Sequence, residues 1–134
     1  MLQYTISTLP SFAAFFAVAA LVLAVFVAIY MQVTPYAELA LVREGNVAAA
    51  VSLGGTLVGL ALPVANVVRN SHALLDVAVW GVVACVVQLL AYAAARLAIP
   101  QLAKDIPAGK VAPAIFLAAL SIAVGLVNAA CMEG

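Results

Sequence analysis

The densest polar cluster in the chain runs from Arg69 to Trp80, and it is the first place to look for chemistry. Histidine titrates near neutrality and a carboxylate close to lipid can bind a proton, so Arg69, His72 and Asp76 could form an ion or proton site. The alternative is structural, with Ser71 or His72 opening a helix and Trp80 anchoring the chain at a membrane interface. Asp76 would then interact with the positive end of the helix dipole and pair with Arg69.

Elsewhere the sequence lacks the residue sets that common enzymes use. The two thiols, Cys85 and Cys131, match no zinc, haem or thioredoxin spacing, and a single histidine cannot complete a usual zinc ligand set. No serine stands in a nucleophile-elbow pattern, and no glycine-rich phosphate loop follows a strand. A proton pump built from one chain would also need ionisable groups deeper in the membrane. We therefore expect no catalytic residue, no metal ligand and no cofactor.

The distribution of charge predicts an all-α membrane protein. Of the 134 residues, 69% are hydrophobic and 7% are charged, whereas about a quarter are charged in a soluble domain. Four long intervals contain no charged residue, and each can cross a hydrocarbon core of about 30 Å. Backbone groups in lipid must be paired, so runs rich in Ala and Leu favour helices over a barrel. We predict one domain (1–134) that is an antiparallel bundle with spans at about 11–33, 47–68, 76–97 and 111–132.

The basic residues predict the orientation of these spans. Four of the five Lys and Arg residues lie at the first and third connections: Arg43, Arg96, Lys104 and Lys110. Only Arg69 lies on the opposite side. The positive-inside rule then places those two connections in the cytoplasm and both termini outside it. The formal net charge is zero, so we expect no nucleic-acid partner.

The first and third connections carry helix signals of their own. In the first, Thr34 can cap a helix, Pro35 suits its first position and Gly45 can end it. The third repeats the pattern with Pro100 and Gly109. We predict a short interfacial helix in each link. The residues that begin the following span are similar in the two links and lie 64 positions apart, which predicts a duplicated two-span unit covering 11–70 and 75–134.

Small and polar residues recur at helical spacing on one face of each span. In lipid, small residues let backbones approach and polar side chains hydrogen-bond between helices, which favours helix packing. The alternative is that the polar members line a path for solute or water. Span one contributes a small face made of Ala13, Ala17, Ala20, Ala24 and Ala28. The seam of the other spans consists of Ser52, Gly55, Gly59, Pro63, Asn66, Gly81, Gln88, Ser121, Gly125 and Asn128.

Three stretches of the chain resemble domain of unknown function 350 (DUF350): TPYAELALVREGNVAAAVSLGGTLVGLALPVANVVRNS, DVAVWGVVACVVQLLAY and GLVNAACM. The resemblance runs from about Thr34 to Met132. It implies a bacterial inner-membrane location, four spans and a duplicated two-span unit, and it brings no settled activity. Through the genes that neighbour the relatives, it implies phage-shock-like peripheral membrane proteins and ATP-grasp-type ligases in the same envelope-associated system.

The resemblance also makes the two predicted cytoplasmic links docking surfaces for such peripheral proteins. Our leading hypothesis is a non-enzymatic component that oligomerises or scaffolds other proteins, with the lipid bilayer and copies of itself as partners. The alternative is a subunit of a small oligomeric channel or transporter. The docking residues would be Tyr36, Glu38, Arg43, Glu44, Asn46, Lys104 and Asp105.

Overall fold

The computed structural model describes residues 2–70 and 73–132, apart from the side chains of Tyr4 and Thr5. No strand occurs in these ranges, and the predicted all-α fold with a short helix in the first and third links is confirmed. The helices are α1 (Leu2–Val33), α2 (Glu38–Arg43), α3 (Val47–Asn70), α4 (Leu74–Ala98), α5 (Leu102–Asp105) and α6 (Val111–Cys131). Four of them, α1, α3, α4 and α6, are long and apolar enough to cross a membrane.

Both bounds of each long helix lie within two residues of the bounds of the corresponding predicted span, except that α1 starts at Leu2 rather than near residue 11. The predicted span counted only the most apolar stretch, and the helix continues ahead of it through Pro10. The antiparallel order of the helices stays a prediction.

The core of the bundle is the contact between α3 and α6, which pack against each other more extensively than any other pair. Glycines make this contact close. A Cβ atom at Gly55 would overlap with Ala118, and one at Gly125 would overlap with the carbonyl oxygen of Gly59. A Cβ atom at Gly59 would in turn overlap with the backbone of Ser121. α3 is therefore the most buried span, with 56% of its most apolar stretch covered by the other helices.

α1 lies on the outside of this core and is the least buried span, at 6% of its most apolar stretch. It packs against α4 and α3. Val22 comes close to α4 because Gly81 has no side chain there. Nearer the first link, Phe26 stacks on Tyr30 with ring centroids 5.6 Å apart, and Tyr30 meets Tyr92 of α4 edge-on at 5.4 Å.

The two links end in the same backbone turn. Gly45 and Gly109 have φ angles of 89° and 83°, a left-handed conformation that glycine adopts without strain. In each link the glycine N–H donates three residues back and the next N–H donates five residues back, which is the Schellman motif. The four hydrogen bonds, with N···O distances of 2.9–3.0 Å, run from the N–H groups to the carbonyl oxygens as follows: Gly45 to Val42, Asn46 to Leu41, Gly109 to Ile106 and Lys110 to Asp105. The duplication stays a prediction, which this shared turn supports.

The start of the first link differs from the prediction. α2 begins at Glu38, and its N-cap is Ala37, which makes no side-chain capping bond. Thr34 does not cap a helix, and Pro35 is not the first helical residue. The Thr34 hydroxyl instead lies 2.7 Å from Oε1 of Glu38 and donates to it. This hydrogen bond satisfies one oxygen atom of a carboxyl group that is buried at this position.

Asn46 ties the two links together. Its Oδ1 accepts from the N–H of Ala49 at 3.0 Å and so caps α3. Its Nδ2 lies 3.2 Å from the carbonyl oxygens of both Ile106 and Pro107 in the other link. One side chain therefore fixes the start of α3 and holds the end of the third connection beside it.

Replacing Gly55 with alanine should destabilise the protein by about 1–3 kcal/mol, because the added methyl group overlaps with Ala118. Gly54→Ala is the matched control, since nothing lies within 4 Å of its Cβ position. That variant should be neutral or more stable by about 0.4–1 kcal/mol. Reversible unfolding in detergent micelles measures both free energies. Equal stability of the two variants would contradict the close approach of α3 and α6.

Asn46→Ala should lower the free energy of unfolding by about 1–2 kcal/mol through loss of the α3 cap. Asn46→Asp keeps an oxygen acceptor for the cap and removes the amide donor to Ile106 and Pro107. It should therefore leave α3 intact and speed hydrogen exchange in the third connection. Exchange measured by mass spectrometry separates the two effects, and wild-type protection of 106–110 in both variants would contradict the tie.

Candidate functional site

Nine of the ten predicted seam residues are buried inside the bundle, and Asn128 is half-buried. The hydroxyl of Ser52 donates to the carbonyl of Ala49 in its own helix at 3.1 Å. The buried members are Ser52, Gly55, Gly59, Pro63, Asn66, Gly81, Gln88, Ser121 and Gly125.

Two amides of the seam join helices by bonding to backbone carbonyls of α6. Asn66 donates to the carbonyl of Ala129 at 2.9 Å, and Gln88 donates to that of Ser121 at 3.3 Å. The Oε1 atom of Gln88 and the Nδ2 atom of Asn128 are buried without a hydrogen-bond partner. The seam thus connects α3 and α4 to α6, and a path for solute or water along it stays a prediction.

The predicted outer cluster is only partly within the described residues. His72 lies outside them. Arg69, Asp76 and Trp80 are exposed, and Asp76 lies in the first turn of α4 as predicted. Within the described residues (2–70 and 73–132), Arg69 and Asp76 form no ion pair, so the predicted pair is absent. Both side chains face outward, where a solvated pair gains little free energy.

The predicted docking residues occupy three different environments. Arg43, Glu44 and Lys104 are exposed, whereas Tyr36, Asn46 and Asp105 are half-buried. Asp105 forms an ion pair of 3.5 Å with Lys110. Glu38 does not lie on this surface, because its side chain is 0% exposed.

Glu38 instead belongs to a buried oxygen-lined cluster, which we call the Glu38 cluster: Thr34, Glu38, Tyr30, Tyr36 and Tyr92. Tyr30 lies near the end of α1, Thr34 and Tyr36 lie in the first link, and Tyr92 lies in α4. All three tyrosines are close enough to Glu38 to interact with it electrostatically. Oε1 of Glu38 accepts from Thr34, and Oε2 is buried without a partner.

The tyrosine hydroxyls of the Glu38 cluster are also poorly matched. Those of Tyr36 and Tyr92 are buried, lie next to each other and lack a hydrogen bond of good geometry. The hydroxyl of Tyr30 lies 3.5 Å from Oγ1 of Thr56 on α3. The cluster therefore holds three buried oxygen atoms with no partner, which is unusual because buried polar groups are nearly always hydrogen-bonded.

Burial sets the electrostatics of this cluster. It raises the pKa of Glu38 to about 7, against the opposing effect of the Thr34 hydrogen bond. Burial also raises the pKa of Tyr36, whose hydroxyl keeps its proton. No Lys or Arg of the described chain lies within 4 Å of the Glu38 carboxyl. The nearest basic group of α4, Arg96, lies over the ring of Tyr92 with 5.9 Å to its centroid.

The spacing of residues in the sequence indicates this cluster, although the overall composition does not. Thr34 precedes Glu38 by four residues, and three of the four tyrosines lie near the same end of the spans: Tyr30, Tyr36 and Tyr92. A tyrosine buried at an interface usually finds a partner for its hydroxyl, so their clustering indicates a buried polar group nearby.

The small face of α1 does not point into the bundle. Its five alanines (Ala13, Ala17, Ala20, Ala24 and Ala28) are exposed, and the buried side of α1 carries Phe26 and Tyr30. At 100° per residue these two sides lie on nearly opposite faces of the helix. The aromatic side faces inward because large side chains are needed to fill the space beside α3 and α4. We call the exposed side the alanine face.

Comparisons with known proteins agree with this architecture. The UPF0719 inner membrane protein YjfL of Escherichia coli K12 is 33% identical over 130 residues, which cover 97% of this chain and 98% of that protein. The protein of the same name from Escherichia coli O157:H7 matches equally. The UPF0719 transmembrane protein YshE of Bacillus subtilis is 32% identical over 84 residues, 63% of each chain. No solved structure matches this chain significantly.

The resemblance found from the sequence is confirmed and extends further than expected. The family model described as Domain of Unknown Function (DUF350) matches residues 4–132, which include α1 as well as the two links and the later spans. The chain therefore belongs to the DUF350 family, and its curated relatives are inner-membrane and transmembrane proteins.

Proposed function

We propose that this protein is a non-enzymatic membrane component that assembles with copies of itself through α1 and scaffolds other proteins at the inner membrane. The observation that carries the proposal is the alanine face, which lies on the least buried span and points away from the bundle.

The chemistry of lipid explains why such a face favours a second helix. Lipid tails solvate leucine and valine as well as they solvate alanine, so lipid alone does not require small residues on an outward face. Small residues allow two helix backbones to approach, which strengthens dispersion contacts between them. The face repeats at three- and four-residue intervals over the central half of α1, which is the spacing that a second α1 needs. We therefore assign this face to a contact between copies.

The interior of the bundle supports packing more than transport. The amides of Asn66 and Gln88 bond to carbonyls of α6, and the backbones of α3 and α6 touch at Gly59 and Gly125. A solute would find no gap at that contact. A channel built from this protein would have to form between copies rather than within one.

The links offer a polar surface for the scaffolding role. The side chains of Arg43, Glu44, Lys104 and Lys110 are exposed there, and both signs of charge are present. Under the predicted orientation this surface faces the cytoplasm. Peripheral proteins whose surfaces carry charges of both signs would bind this surface through solvent-exposed charged side chains, and such contacts set association rates and selectivity.

The double substitution Ala20→Leu with Ala24→Leu should weaken self-association at least about tenfold, which corresponds to about 1.4 kcal/mol. Leucine at these positions keeps the helix apolar and prevents close backbone approach. Val25→Leu is the matched control, because Val25 is exposed beside the alanine face and is already large. Native mass spectrometry from lipid nanodiscs measures the oligomer. An unchanged oligomer in the double variant would refute the alanine face as the contact.

Cysteine crosslinking in membranes locates the contact directly. In a chain with Cys85 and Cys131 replaced by alanine, Ala20→Cys should form a disulfide-linked dimer on oxidation. Val22→Cys should not, because Val22 packs against Gly81 inside the same chain. A wild-type protein that is monomeric in nanodiscs and uncrosslinked in membranes would contradict the proposal. A closed ring of several copies would favour the channel alternative, which flux measurements then decide.

A further inference from the structure

Among the acidic residues that the structure describes, Glu38 is the one whose side chain is fully buried. Within the described residues, the carboxyl group of Glu38 accepts one hydrogen bond, from Thr34, and its second oxygen atom has no partner. Glu38 is the first residue of the short helix α2, which forms part of the link between α1 and α3 and packs against α3. These observations concern the first link and do not depend on how copies of the protein associate.

We propose that Glu38 is a proton-binding site, and that binding of the proton holds the first link (35–45) against the bundle while its loss releases the link.

The surroundings of Glu38 favour the neutral carboxyl. An ionised carboxylate taken out of water is destabilised by several kcal/mol unless a cation and several hydrogen bonds replace the water. Here the hydrogen bonds reduce to one, and no cation of the described chain lies within 4 Å. Adding a proton removes the charge and with it the need for a counter-ion.

The elements around Glu38 supply no compensating charge. α3, the helix against which α2 packs, has one titratable residue, Arg69, which lies in its last turn and far from α2. α1 contributes Tyr30, the link contributes Tyr36, and α4 contributes Tyr92, all of them neutral hydroxyls. The cation of α4, Arg96, is exposed and lies over the Tyr92 ring. α5 contributes Lys104, which is exposed, and Asp105, which pairs with Lys110, and α6 contains no Lys, Arg, His, Asp or Glu.

Proton binding and release involve a single O–H bond of the carboxyl group. In the bound state the proton is attached to Oε2 of Glu38, the oxygen that lacks a partner. On release the O–H bond breaks, its electron pair stays on the carboxylate, and the proton passes to a water molecule at the exposed side of the links. The carboxylate then gains hydration only by leaving the cluster, and α2 has to move with it because Glu38 is its first residue.

The sign of the pH dependence follows from the raised pKa of Glu38. The folded state binds this proton more tightly than the unfolded chain, so the stabilising effect is complete below the ordinary glutamate value of about 4.3. It is lost as the pH rises through about 7. The link should therefore be well protected in mild acid and loosened in mild base.

Infrared titration of the protein in lipid vesicles tests the binding step. The wild-type protein should show a protonated carboxyl band that disappears with a midpoint near pH 7. Glu38→Gln should abolish this band, and Glu44→Gln should leave it unchanged because Glu44 is exposed on the same link. Hydrogen exchange of residues 37–46 should accelerate across the same pH range in the wild type, beyond the intrinsic chemical rate, and not in Glu38→Gln.

Thr34→Val provides a second variant that keeps the carboxyl. It removes the hydrogen bond that favours the charged form, so the midpoint should rise by about one pH unit. A midpoint near the ordinary value of about 4.3 would overturn the proposal. So would link exchange that ignores Glu38→Gln, or a sodium-dependent midpoint at fixed ionic strength, which would make the cluster a metal-cation site.

Discussion

At the centre of the bundle, α3 and α6 approach until the backbone at Gly59 touches the backbone at Gly125. Lipid gives hydrophobic side chains no reason to leave it, so this contact rests on dispersion forces and on hydrogen bonds between helices. The same contact positions α4, because Gln88 bonds to the carbonyl of Ser121, the residue whose backbone faces Gly59. A side chain at either glycine would separate three helices, which explains why the other packing follows from this one approach.

The outer helix is attached differently, and its attachment overlaps with the Glu38 cluster. α1 is fixed near the first link by Phe26 and Tyr30, while its other half separates from α3 and leaves an open apolar groove of 530 Å³. Tyr30 takes part in both the aromatic contact with Tyr92 and the surroundings of Glu38. The position of α1 and the state of the first link therefore depend on a shared residue. This connects the helix proposed to contact other copies with the group proposed to bind a proton.

The sequence was sufficient for the spans and the link ends, because both depend on local chemistry. Missing charges marked the four helices, and Gly45 and Gly109 marked the turns that only glycine adopts easily. Helical spacing places the seam residues on common faces, but it does not indicate which helices those faces contact.

Two wrong predictions, on the direction of the small face of α1 and on the position of Glu38, also follow from reliance on local patterns. Spacing shows that alanines share a face of α1 without showing where that face points, and here the aromatic side turns inward. A charged residue in a link is usually solvated, which predicts a surface position for Glu38, whereas contacts with Thr34 and three tyrosines bury it. Burial of this carboxyl depends partly on Tyr92, which is distant in the chain, so the charge pattern of the link alone does not reveal it.

The pairing of α3 with α6 has a consequence for the order of events during synthesis. A ribosome completes α3 before α4 and α5, so its glycine surface enters the bilayer with its main partner still unmade. During that interval the amide of Asn66 lacks the α6 carbonyl that it later contacts. Until α6 is inserted, the half-made protein therefore exposes to lipid a helix surface of glycines and one amide that favours contact with other helices.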